Sequence, residues 1–222
     1  GYALGASFFL SGFSSLALEV LWTRCLPVIF IGTTYAYTTM LSAMLCGIAL
    51  GGGIGSWLIT RERIRATAAN GFGGVLALTG AACFLVMPLF AWIPDALYAP
   101  GMNSGDWVEG NLLRFSFAFG AMLPATILFG MTFPFAVAAA VSGGAKLGRG
   151  VGLLYAANTL GGVLGAASGG FLLLPLLGTH DALLLLGALI TLGGLLLLLG
   201  APTMRMPRRV GVALVPAAAC AA

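Results

Sequence analysis

Glu19 is the residue best placed to do chemistry, because it interrupts an apolar stretch covering roughly the first thirty residues. An ionised carboxylate in hydrocarbon is expensive and normally faces a partner or a water-filled cavity. Two readings are open on spacing alone: a site for a cation or proton, or one half of an ion pair that fixes helix register. Arg24 follows five residues on, which at about 100° per residue places it about 140° around a helix from the acid. The two can pair only if Pro27 and its neighbouring backbone bend the segment. Otherwise each pairs across to another helix, with Arg114 a candidate partner for Glu19.

Tyr155, Asn158 and Thr159 form a second polar group, just inside the apolar run that follows Lys146 and Arg149. A side-chain amide there must bond another helix, a loop carbonyl or a ligand, and glue between helices is its common role. His180 and Asp181 are adjacent; the histidine can titrate near neutrality, and the aspartate can cap a following helix. Pro124 and Pro134 interrupt one apolar run, and a helix broken at prolines can line a binding site or simply kink for packing. Cys25, Cys46, Cys83 and Cys220 lack the close spacing of a zinc or redox site, which leaves them as small packing residues. No nucleophile–base pair, metal constellation or phosphate-cradling loop is present, so no catalytic residue is assigned and no cofactor or metal is expected.

The elements that position these groups follow from composition. The chain has 222 residues, 60% hydrophobic and 7% charged, with a mean hydropathy of +1.06. So few charges cannot clothe a water-soluble globule, and so much apolar surface excludes disorder. The 34 glycines have no triplet period, which excludes collagen. Apolar runs this long do not alternate as barrel strands must. The expected fold is all-α: a polytopic transmembrane bundle of about six spans, with a possible inverted three-helix repeat, the spans at about 3–30, 34–60, 67–92, 111–142, 151–177 and 181–200, each reaching or exceeding the ~20 residues needed to cross. Residues 1–200 form this domain. Residues 201–222 read as a cytoplasmic basic loop and the start of an incomplete further span, and Gly1 in place of Met predicts that the chain has lost its true beginning.

Basic residues assign the sides. Arg61, Arg63, Arg65, Lys146, Arg149, Arg205, Arg208 and Arg209 account for eight of the ten and fall in loops of one parity, while Asp95, Asp106 and Glu109 fall in the other. The positive-inside rule then places the amino end and the basic loops in the cytoplasm. Trp92, Tyr98 and Trp107 bracket the acidic loop as interfacial anchors. A net charge of +4 is absorbed by this asymmetry, so no nucleic-acid partner is expected.

Gly47, Gly51 and Gly55 recur every four residues in the second span, and Gly161, Gly165 and Gly169 do so in the fifth. Such spacing clears one helix face for close backbone approach. An offset of 114 residues superimposes the two sets and also pairs Gly73 with Gly187 and Gly80 with Gly194. That suggests two three-helix units, and because three is odd the second is inverted, as in secondary transporters; glycine-rich helices also match by chance.

Four stretches, FLSGFSSLALEVLWTR (9–24), TTYAYTTMLSAMLCGIALGGGIGSWL (33–58), LPATILFGMTFPF (123–135) and VGLLYAANTLGGVLGAASGGFLLLPLLG (151–178), resemble the membrane region of bacterial spermidine synthase-like proteins. Those proteins fuse a transporter-like membrane domain to a polyamine aminopropyltransferase. The resemblance implies that Glu19, Trp22, Arg24, Tyr35, Thr132, Pro134, Tyr155 and Asn158 occupy recurrent positions. It also implies that chemistry, where present, lies in a soluble domain whose motifs do not occur here.

The expected function is therefore a membrane domain anchoring or serving polyamine chemistry. Glu19, Arg24, Tyr35, Tyr155 and Asn158 are its candidate ligand residues, and the six repeated glycines are its packing residues. Expected partners are the lipid bilayer, a polyamine or other small cation, and partner membrane subunits. An accessory subunit of a larger complex and a small secondary transporter are the alternatives.

Overall fold

A computed structural model describes residues 2–30, 33–97, 107–143 and 147–200. The described residues form an all-α bundle of six long helices and one short one. Helix α1 (Tyr2–Cys25) ends in a single 3-10 turn, Leu26–Val28. Pro27, lacking an N–H and fixed in φ, stands inside that turn and stops the α-helical ladder. Helix α2 (Thr33–Ile59) leads into α3 (Glu62–Ala66), and α4 (Ala68–Leu97), α5 (Trp107–Ser142) and α6 (Leu147–Ser168) follow. A π-helical turn, Gly169–Leu173, connects α6 to α7 (Leu174–Gly200).

Five apolar helical segments are long enough to cross a membrane, and the last, Gly148–Gly200, contains 53 residues. As one straight rod it would measure about 80 Å against a hydrocarbon layer of about 30 Å. The backbone avoids this at Gly178, which takes φ 73° and ψ 179°, a region open essentially to glycine alone. The chain reverses there, close to the turn expected at 178–180. Gly178→Ala therefore costs about 1–3 kcal/mol through backbone strain, with no steric part, because nothing lies within 4 Å of the position of the added Cβ. A lowered melting temperature in detergent for Gly178→Ala, beside an unchanged one for Gly53→Ala on an open helix face, is the expected result.

Some boundaries move relative to the sequence reading. The third span continues five residues beyond its expected end at 92, through Pro94 to Leu97, because a proline near a helix end removes little of the ladder. The basic segment after α2 is not wholly loop, since Glu62–Ala66 makes a helical turn. Helix α5 runs through Pro124 and Pro134 as one helix. Residues 201–222, with Arg205, Arg208, Arg209 and Cys220, lie outside the described residues, as do Tyr98, Asp106 and Lys146.

Glycine contacts set the directions of the helices. Gly51 of α2 lies against Ile127 and Gly130 of α5, and Gly55 against Met131 and Pro134, so α2 and α5 run parallel. Gly161, Gly165 and Gly169 lie against Phe9, Phe13 and Ala17, so α6 and the π turn run parallel to α1. Gly73 meets Gly194 and Leu198 while Gly80 meets Gly187 and Thr191, so α4 and α7 are antiparallel. These three pairings are the most extensive in the molecule. They leave Arg24, Tyr35, Trp92, Trp107 and Gly178 at one end of the bundle, and α3, Arg149 and Tyr155 at the other. At the second end the Arg61 guanidinium lies 4.4 Å above the centre of the Trp57 ring, a cation–π contact at a basic helix terminus.

The core is aromatic where helices cross. Phe8 of α1 meets Phe72 of α4 edge-on at 5.9 Å and Phe133 of α5 at 6.1 Å. Outward-facing Leu, Ile and Phe side chains, including Phe171 at 85% exposure, give the bundle a lipid-compatible exterior. By helix length and composition this is a multi-pass membrane chain.

Candidate functional site

Glu19 sits three-quarters of the way along α1, neither fully buried nor fully exposed. Neighbouring α1 residues divide between two tasks. Ser14, Leu18, Leu21 and Trp22 are buried in the core, while Phe13, Ala17 and Val20 lie against Gly165, Gly169 and Gly170. By helical angle Glu19 lies on neither face, more than about 100° from the middle of each and on the same side of α1 as Phe8. The π turn Gly169–Leu173 packs on α1 at this level but on another side, with Gly169 against Ala17, about 160° around the helix from Glu19. Single π turns inside helices loosen the regular ladder and recur at functional sites; this one follows from adjacent glycines and has no signature in hydrophobic periodicity.

No ion pair joins Glu19 to Arg24 or Arg114; among the described residues the one recorded ion pair is His180–Asp181. The bend invoked to bring Glu19 and Arg24 together does not occur, since Pro27 lies beyond the end of α1 and both residues keep their helical angles. Arg24 is exposed. Among the described residues, then, no basic side chain pairs with the acid.

The other candidates are spread along the bundle. Asn158 lies against Gly12, where a Cβ would come within 2.7 Å of its Oδ1. That level is seven residues, or about 10 Å, from Glu19 along α1. Tyr155 stands one turn further away and is 64% exposed. Tyr35 is at the opposite end, edge-on to Trp107 at 5.7 Å. The structure brings Asn158 to the α1–α6 crossing and does not gather the five residues around one point. The hydroxyls of Thr23, Thr39, Thr79, Thr126 and Thr132 donate to carbonyls within their own helices, which satisfies their protons locally. Ser14 Oγ and Thr191 Oγ1, both buried, have no hydrogen-bond partner.

A groove of about 700 Å³ lies between the second half of α4 and the start of α7, lined by Phe84, Leu85, Pro88 and Leu183 with Cys25 and His180 among the polar groups. His180 Nδ1 is 2.9 Å from Asp181 Oδ1 and both side chains are well exposed. The groove is thus an apolar trough with a polar rim, separate from Glu19.

Comparison with known proteins gives one informative likeness. Over 169 residues the chain is 32% identical to polyamine aminopropyltransferase 2 of Streptomyces coelicolor, a match covering 73% of this chain and 28% of that protein. The homology is distant, and the chain spans less than a third of the length of that relative. No family model matches the chain, and no solved structure matches it.

Proposed function

We propose that this chain is the membrane domain of a spermidine synthase-like protein and that Glu19 is its site for a cationic amine. The observation carrying the proposal is a carboxylate held in an apolar helix with no basic partner among the described residues. At low dielectric such a group gains most from an incoming ammonium, which supplies both countercharge and hydrogen-bond donors. The likeness to an aminopropyltransferase supports an amine as the ligand class. Arg24, Tyr35, Tyr155 and Asn158 then act on access and helix position, since they lie at other levels. Glu19→Gln keeps the shape and removes the charge; it is expected to weaken binding of labelled putrescine or spermidine to the detergent-purified protein by tenfold or more. Unaltered binding by a variant that elutes as a single folded species removes Glu19 from this role.

The amino end and the basic loops are assigned to the cytoplasm. Supporting this, Arg61, Arg63, Arg65 and Arg149 all sit at one end of the bundle. Labelling of Arg63→Cys only after permeabilisation is the expected outcome, and labelling in intact cells reverses the assignment.

A transporter-like architecture belongs to the same reading, as two inverted three-helix units: α1, α2 and α4, then α5, α6 and α7. Its support is a residue-level correspondence under the 114-residue offset. The contact of Gly51 with Ile127 becomes that of Gly165 with Phe13, and in each the nearest atom is the partner's carbonyl oxygen. Gly55 with Met131 becomes Gly169 with Ala17, at 3.2 Å from the Cα in both. Gly73 with Gly194 becomes Gly187 with Gly80. That partners correspond along with the glycines supports the repeat over a chance likeness between glycine-rich helices.

A further inference from the structure

Under that inverted repeat, the helices regroup in space into two bodies that each draw on both halves of the chain. Helix α1 packs on α6 and α7, and α5 packs on α2 and α4. Between the bodies, α4 and α7 cross closely through Gly73, Gly80, Gly187 and Gly194, whereas α1 and α5 touch little. The α1–α5 line is therefore a seam, and the pseudo-twofold axis runs through both crossings.

The ring contact of Phe8 with Phe133 is the part of this seam that is closed. The repeat carries Phe8 onto Met122 and Phe133 onto Glu19, because each pair of positions differs by 114 residues. Exposure agrees with the exchange: Phe8 and Met122 are both buried, at 1% and 0%, while Phe133 and Glu19 are both partly open. Ser15, by the same spacing, lies on α1 between the two levels.

We infer that Glu19 faces Met122 across the α1–α5 seam, as the symmetry counterpart of Phe133 facing Phe8, so that a cation held by the carboxylate in one half of the seam is stopped from the other half by the aromatic pair. One half of the seam offers charge and the other a dry barrier. Rocking of the two bodies about the close α4–α7 crossing opens and shuts the seam without breaking either parallel helix pair. This inference rests on the amine reading only for the identity of the cation; the placement of Glu19 is independent of it.

Disulfide trapping tests the placement in the intact chain with Cys25, Cys46, Cys83 and Cys220 changed to alanine. Glu19→Cys combined with Met122→Cys is expected to cross-link as readily as Phe8→Cys combined with Phe133→Cys. Phe8→Cys with Met122→Cys, about 16 Å apart along the seam, is expected to remain uncrosslinked. Trapping of the Phe pair without the Glu19–Met122 pair overturns the placement. The barrier is read separately in proteoliposomes: Phe133→Ala is expected to raise putrescine entry at least fivefold, and an unchanged rate overturns the gate. Failure of putrescine to bind Glu19 in the purified protein counts against the proposed function and leaves the cross-linking result standing.

Discussion

Gly51→Ala and Gly165→Ala are each expected to destabilise the protein by about 1–3 kcal/mol, the range for forcing extra volume into a packed interior. At both positions the added methyl meets main chain. At Gly51 it falls on the Ile127 carbonyl, with the Gly130 Cα at 3.0 Å; at Gly165 it falls on the Phe13 carbonyl, with the Phe13 Cα at 2.8 Å. Backbone in a regular helix cannot rotate aside as a side chain can, so the whole helix pair must separate. In lipid that separation removes the van der Waals contact on which helix association depends. Leucine at either site extends the same clash and is expected to prevent a folded monomer from accumulating. Gly53→Ala and Gly152→Ala face open space and replace a poor helix former with a good one, so they are expected to be neutral or slightly stabilising. Thermal unfolding in one detergent decides the matter, and equal melting temperatures for the four alanine variants would contradict the close-packing account. The paired design carries a further reading: similar losses at Gly51 and Gly165 follow from their equivalent surroundings, whereas a large effect at only one does not.

Phe8→Ala is expected to have the largest effect of any single truncation in α1, about 3–5 kcal/mol. The ring is 1% exposed and is shared by three helices, through Phe72 and Phe133. Removing it leaves a cavity at the one place where α1, α4 and α5 touch through aromatic edges. Because lipid tails are as apolar as the ring, the loss comes from forfeited packing and ring geometry more than from transfer to water. Phe133→Ala removes the same α1–α5 contact from its other side, yet Phe133 is 41% exposed and leaves less of a hole. Its cost is expected to be less than half as large. Equal losses from Phe8→Ala and Phe133→Ala would mean that the ring pair, and not the three-helix junction, supplies the stability.

Several of these features were legible in the residues alone. Long apolar runs specify helices and lipid exposure because few other structures satisfy backbone hydrogen bonds in hydrocarbon. The reversal between the last two apolar stretches was readable from run length together with Gly178. Glycines at every fourth residue announced a cleared helix face, but periodicity describes one helix at a time and is silent about what that face meets. Only the fold shows that Gly51 approaches α5 and Gly165 approaches α1. Charge spacing alone set Arg24 off the face of Glu19 and left their pairing to a bend at Pro27. Five residues on a helix point in different directions, and the proline able to change that lies past the helix end. The π turn beside Ala17 escaped because one extra residue per turn over five residues hardly alters a hydrophobic pattern. Tyr35 and Tyr155 stood out by residue type, yet type says nothing of depth, and they occupy opposite ends of the molecule.

The parallel packing of α1 with α6 has a consequence for biosynthesis. Parallel neighbours in a membrane cannot be consecutive spans, so α1 enters the bilayer long before the helix that covers its Phe9–Ala17 face exists. More than a hundred residues separate the end of α1 from the end of α6, which at ribosomal speeds of about 5–20 residues per second amounts to roughly 10–30 s. Helix α2 waits in the same way for α5. During that interval the Phe9–Ala17 face of α1 has only lipid or the translocation machinery for company. The late helices thus complete the early ones, and a ribosome stalled before residue 147 leaves that face and the Gly73–Gly80 face of α4 open to capture by membrane chaperones or proteases.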